Sequence, residues 1–142
     1  MGRLKGIVMT DQTSFNPSVL HTTSLSVSQE SVAAYAELTN DFNPIHLDAA
    51  FAATTPMGRP IAHGTMSLAL LWQSLGRSFT PETLASLQLD VRFIRPVFIG
   101  EQITAGGERV EGSQNQWQVW VRADDGADRI VGVVTTTLAA TA

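Results

Sequence analysis

No charged side chain occurs between Arg59 and Arg77. Within that interval Met66, Leu68, Ala69, Leu70, Leu71, Trp72 and Leu75 follow Gly64 at spacings that cover nearly every side of a helix over 64–75, with Gly76 as its stop. A helix that is apolar all round has to be enclosed by the rest of its chain. The residues that follow are suited to that. Leu87, Leu89, Val91 and Phe93 alternate with Gln88, Asp90 and Arg92. Pro96 and Gly100 then lead into a strand over 103–110, where Gly106-Gly107 suggests a bulge. Trp117, Val119 and Val121 alternate again, and Asp124-Asp125-Gly126 supplies a turn. Residues 129–138 are β-branched and almost continuously apolar, as in a central strand. One helix followed by four consecutive strands reads as α+β: a curved antiparallel sheet wrapped around a long buried helix.

The upstream half reads as strand and helix. Residues 1–18 are an N-terminal arm or short strand, with a turn at Asn16-Pro17. Val19, His21, Thr23, Leu25 and Val27 alternate with serines, which predicts a half-buried strand. Ser28 is placed to cap a helix whose apolar stripe is Val32, Tyr35, Ala36 and Leu38 and which ends near Asn40. Asp48 caps a short helix over 49–53, and residues 54–60, with two prolines and Gly58, form a loop. The 142 residues, 44% hydrophobic, make one domain over 1–142 without repeat or linker.

Thirteen acidic against 9 basic residues give a net charge of −4, which argues against a nucleic-acid partner. With no cysteine, disulfides, thiolate nucleophiles and cysteine-based zinc sites are excluded. Ile7-Val8-Met9 is too short for the apolar part of a secretion signal, and no window approaches the roughly 18 apolar residues of a membrane span. The expectation is a cytoplasmic protein that binds no membrane. Glycine-rich phosphate loops and the Gly-x-Ser-x-Gly elbow are also missing.

Chemistry concentrates in Asn40-Asp41-Phe42-Asn43-Pro44-Ile45-His46 and in Arg59-Pro60-Ile61-Ala62-His63-Gly64. A turn at Asn43-Pro44 lets Asp41 and His46 face one cavity, and a glycine opening a buried helix offers its bare N–H to that cavity. An acid, a base and an anion-stabilising donor are what the addition of water to a carbonyl-activated double bond requires. Asn43 is expected to hold the loop by bonding its own backbone. His63 is expected to pin the loop through a backbone bond. Asp41, His46, Asp48 and His63 also raise the question of a metal, but Asp48 is better used as a cap and no metal is expected.

These two segments closely resemble the MaoC-like, R-specific enoyl-CoA hydratases, and Phe93-Ile94-Arg95-Pro96-Val97-Phe98-Ile99-Gly100-Glu101 extends the resemblance over roughly residues 20–140. One departure is Asn40, where the family often has a small residue such as glycine; asparagine tolerates left-handed backbone. The resemblance implies a hot-dog fold, a homodimer or higher oligomer, and a coenzyme A thioester substrate with no separate cofactor. It assigns Asp41 and His46 as the catalytic pair, read as base and proton donor with roles that can exchange, and Gly64 as donor to the thioester oxygen. Trp72 and Leu75 are either core or the wall of a short acyl pocket. Arg59, Arg92 and Arg95 are candidates for the coenzyme A phosphates. The expected activity is reversible R-specific hydration of trans-2-enoyl-CoA. The alternatives are an acyl-CoA thioesterase on the same fold and a non-catalytic acyl-binding subunit.

Overall fold

The structure, a computed structural model, describes residues 16–137; all but the last three residues of the expected arm over 1–18, and the end of the last strand at Leu138, lie outside the described residues. Five strands, β1 (Thr23–Ser26), β2 (Gln88–Phe93), β3 (Gln102–Arg109), β4 (Gln116–Ala123) and β5 (Asp128–Thr135), form one antiparallel sheet in the order β1-β3-β4-β5-β2. Five helices, α1 (Gln29–Thr39), α2 (Pro44–Leu47), α3 (Ala49–Ala53), α4 (Gly64–Ser78) and α5 (Pro81–Ser86), fill the connections between β1 and β2. The long helix α4 packs across β1, β3 and β4. This is the hot-dog arrangement.

The core lies between α4 and the sheet. Leu70, Leu71 and Leu75 meet Ile103, Trp117, Val121, Ile130 and Val134 there. Burying each leucine contributes about 2 kcal/mol. Unlike the helix expected from sequence, α4 is amphipathic: Thr65, Ala69, Trp72, Gln73 and Gly76 are exposed, and Ser67, Ser74 and Ser78 are buried. The serines enter the core because two of them bond within it, Ser74 to the His21 carbonyl and Ser78 to that of Ser74. Gly76 does not end the helix. It runs on to Ser78, which lets Phe79 turn inward and stack edge-on against Trp117 at 4.9 Å.

Three further expectations are corrected. Val19 is 65% exposed while Leu20 is buried. Between them and Thr23 the chain leaves the ladder, with the His21 N–H on Ser78 Oγ, and a one-residue change of phase exchanges the faces. Leu38 is 79% exposed, so the buried stripe of α1 stops at Ala36. Gly106-Gly107 forms no bulge: β3 pairs with β4 in unbroken register there, and the irregularity falls at Val121/Arg122, between β4 and β5. Gly107 is needed for close approach instead. A Cβ on it would lie 2.5 Å from the Gln118 carbonyl oxygen.

The caps that sequence predicts are in place. Ser28 and Ser31 form a reciprocal capping box on α1, and Asn40 closes that helix in the left-handed region (φ 57). Asp48 accepts from the Ala50 and Phe51 N–H groups at the start of α3. Asp48→Ala is expected to cost about 1 kcal/mol in a urea titration and to leave turnover unchanged. Helix α5, which sequence reading passed over, starts with Thr80 as cap and Pro81 at its first position.

Candidate active site

The left-handed turn at Asn40 throws Asp41 clear of α1, and Asn43 then caps α2 by accepting from the Ile45 N–H at 3.0 Å. Helix α2 is one turn long and exists to bring His46 inward. Its imidazole is 8% exposed, and Nδ1 donates to the Ile61 carbonyl oxygen at 2.7 Å. A carbonyl can only accept, so Nδ1 carries the proton and Nε2 of the neutral ring is left as a proton acceptor. His63 Nε2 donates to the Asp41 main-chain oxygen at 3.0 Å, which fixes the loop from the other side. The two imidazoles stack at 3.8 Å, and Tyr35 meets His63 edge-on. Asp41 itself is exposed, with Oδ1 accepting from the Asn43 N–H.

Gly64 follows His63 directly and opens α4, where no side chain caps the helix. Its N–H is therefore among the free donors at the positive end of a 15-residue helix. A Cβ here would press on the Phe93 ring at 3.1 Å. Gly64 also borders a cleft of about 450 Å³ whose walls include Met57, Ile61, Ser67, Phe93, Ile94 and Arg95. Asp41 and His46 lie beyond Gly64 and do not line it. Gly64, directly after His63, thus joins the cluster of Asp41, His46 and His63 to a largely apolar cleft.

Asp41, His46 and His63 bring one possible ligand atom each to within 4.8 Å of the others. The two imidazole planes lie 24° apart, and Asp48 is engaged as a helix cap and stands outside this cluster. His63 Nδ1 is buried with no hydrogen-bond partner among the described residues.

The other sequence-derived residues are scattered. Arg95 lines the cleft and donates to the Asp128 carbonyl oxygen. Arg59 is exposed and stacks on Phe98 at 4.1 Å. Arg92 lies with Asp90 along a second depression, which Gly64 does not line and which is walled also by Trp120 and Arg122. Leu75 is fully buried in the core, and Trp72, 41% exposed, shares the outward arc of α4 with Thr65 and Ala69.

Sequence reading missed Arg129. Buried inside an apparently apolar strand, it bonds Glu101 at 2.9 Å and Asp125 at 3.1 Å. Its main-chain oxygen accepts from the Ile94 and Arg95 N–H groups, so it anchors one wall of the cleft. Burial pulls the pKa of Arg129 down, but the bonds to Glu101 and Asp125 outweigh this and the net direction is up. Asp125 is held below its usual range by the Ala127 N–H and then by Arg129. Its contribution to stability is present above the unfolded value of about 4 and is lost as pH falls through the lowered folded value.

Residues 11–129 match the model of the MaoC like domain. The chain belongs to the MaoC-like family. Among curated MaoC-like relatives, an (R)-specific enoyl-CoA hydratase of Aeromonas caviae is 46% identical over 74 residues, covering 52% of this chain and 55% of that protein. A 3-hydroxybutyryl-CoA dehydratase of Methylorubrum extorquens is 36% identical over 85 residues, or 60% of this chain and 54% of that one. This chain therefore spans about half the length of these relatives. In structure it is similar to the (R)-hydratase from A. caviae involved in PHA biosynthesis, with a TM-score of 0.66 and 32% identity over 82% of this chain and 92% of that one. An R-hydratase from Pseudomonas aeruginosa gives a TM-score of 0.68 at 27% identity, covering 82% and 77% of the two chains.

Proposed function

We propose that this MaoC-like chain hydrates trans-2-enoyl-CoA reversibly to the (R)-3-hydroxyacyl-CoA, with coenzyme A present only as part of the substrate. The observation that carries this reading is the placement of Asp41 and His46 beside the uncapped N-terminus at Gly64. The Gly64 N–H receives the negative charge that grows on the thioester oxygen as the β-carbon is attacked; one such donor is worth about 3 kcal/mol in the transition state. A water held between Asp41 and His46 gives a proton to His46 Nε2 and its hydroxyl to the β-carbon. The imidazolium, steadied by the Asp41 charge, then returns the proton to the α-carbon. His46 is thus base first and proton donor afterwards, which moves the role of base from Asp41, where the sequence put it, to His46. The names of the A. caviae and M. extorquens relatives support the reaction class.

The test is loss of enoyl absorbance from crotonyl-CoA with chiral analysis of the product. The (R)-alcohol supports the hydratase. Free thiol in its place would establish the thioesterase, and neither signal across chain lengths would favour an acyl-binding subunit. Arg95 is the arginine best placed for a coenzyme A phosphate, since it borders the cleft. Trp72, on the outward arc of α4, is proposed to limit acyl length only through a second subunit; an unchanged preference between four- and eight-carbon substrates in Trp72→Ala would remove it. A cytoplasmic location belongs to the same proposal. No helix among the described residues is long and apolar enough to cross a membrane.

A homodimer joined along β2 is part of this reading. Strand β2 is a sheet edge, and Phe93 and Ile94 at its end are exposed. Antiparallel self-pairing about Val91 sets Asp90 opposite the partner's Arg92 twice. Pairing about the neighbouring residues sets like charge on like charge. Asp90→Arg is expected to weaken dimerisation about tenfold or more in light scattering, and adding Arg92→Asp to the same chain is expected to restore it. A dimer indifferent to both changes would rule out this edge.

A further inference from the structure

Ser67 differs from the other buried serines of α4. Ser74 and Ser78 each donate to a carbonyl oxygen, and Ser78 also accepts from the His21 N–H. Ser67 is only 2% exposed, yet its hydroxyl has no hydrogen-bond partner among the described residues. It lines the same cleft as Gly64, one helical turn further on. A hydroxyl that lines a cleft and is engaged by no protein group among the described residues is available to a ligand or a bound water there.

Its direction follows from helix geometry. The Cα–Cβ bonds of an α-helix tilt toward the N-terminus, and residues three apart share a face. The Ser67 hydroxyl is therefore carried back over the turn that Gly64 begins. The cleft wall is otherwise apolar, with Met57, Ile61, Phe93 and Val97 among its residues, except for Arg95 and Arg129, whose guanidiniums are bonded to the Asp128 carbonyl and to Glu101 and Asp125. In this part of the cleft a ligand's polar atom finds two neighbouring donors, the Gly64 N–H and the Ser67 O–H.

We propose that Ser67 is a second hydrogen-bond donor to the thioester carbonyl oxygen, acting together with Gly64. This rests on the enoyl-CoA reading above. As hydroxide character is transferred to the β-carbon, electron density moves onto that oxygen, and a second preorganised donor strengthens as it does so. No proton leaves Ser67. Its contribution appears in turnover more than in substrate binding, because the bond is stronger to the developing oxyanion than to the ground-state carbonyl.

The experiment compares wild type, Ser67→Ala and Ser67→Thr, with crotonyl-CoA for kinetics and butyryl-CoA labelled with carbon-13 at the thioester carbonyl for infrared difference spectra. Alanine suits a helix interior, and matching thermal midpoints establish that the variants fold. The expected result is a kcat lowered about tenfold to a hundredfold in Ser67→Ala with KM little changed. The bound carbonyl stretch should move toward its free-solution frequency in that variant, and Ser67→Thr should recover both signals. An active wild type whose kcat and carbonyl stretch are unmoved in Ser67→Ala would overturn the role of Ser67 and leave the hydratase reading standing. A raised KM with an unmoved stretch would overturn it as well, by placing the hydroxyl on another part of the ligand. If wild type neither hydrates crotonyl-CoA nor binds butyryl-CoA, the hydratase reading fails and the Ser67 proposal falls with it.

Discussion

His46→Ala is expected to lower the kcat of the proposed hydration by about a thousandfold, within the usual range for a positioned acid–base group. The size of the effect follows from how little freedom the imidazole has. Its Nδ1–H is committed to the Ile61 carbonyl, and its face is covered by His63 at 3.8 Å. Bulk water cannot take its place at the same distance from the β-carbon. Asp41→Asn is the informative partner experiment, because an amide oxygen still accepts from the Asn43 N–H and keeps the turn while the negative charge is lost. It should lose turnover with an unchanged melting midpoint. Turnover above a tenth of wild type in both variants would remove the pair from the chemistry.

The largest effect on stability is expected at Gly132→Val. Gly132 sits opposite Val91 in the β2–β5 ladder. A Cβ on it would lie 2.3 Å from the Asp90 carbonyl oxygen and 2.9 Å from Val91 Cα. Both obstacles are backbone, so no side chain can swing aside, and β2 has to separate from β5 to admit the new group. Overpacking of this kind costs about 3 kcal/mol, at the upper end of the usual range. For a chain of this size that lowers the melting midpoint by on the order of 10 °C. A midpoint within a degree or two of wild type would show that β2 is held more loosely than its pairing implies. Because β2 also carries Phe93 at the mouth of the cleft, the variant is expected to lose activity before it unfolds.

Much of the fold was legible because local chemistry and tertiary structure agree. Three strands could be read from alternation, and Ser28, Asn40 and Asp48 cap helices as their side chains dictate. The errors arose where packing overrode composition. Serines that bond the backbone are as well suited to the core as alanines, so the inward face of α4 was misjudged, and with it the exposure of Trp72. The glycine pair in β3 reads the same in sequence whether it serves a bulge or a close approach; only the facing Gln118 carbonyl distinguishes them. Within the site, the spacing of Asp41, His46 and Gly64 was readable. The anchoring of the cleft by Arg129 was not, because its carboxylate partners come from the β2–β3 connection and the β4–β5 turn. The unpaired hydroxyl of Ser67 has a sequence signal only in hindsight, three residues after the glycine.

The two sides of the Gly64 helix end come from different parts of the chain. The acid–base pair is supplied by residues 41–46 and held by 61–63, while the facing wall of the cleft comes from residues 93–97, anchored on β5. Among the described residues the second segment is hydrogen-bonded to the first only through the Val97 carbonyl on the Ala62 N–H, next to Ile61, which both lines the cleft and holds His46. Under the proposed hydration such a division makes the protein evolvable: a lineage can exchange one acyl group for another by drift along residues 93–97 while Asp41 and His46 are inherited intact.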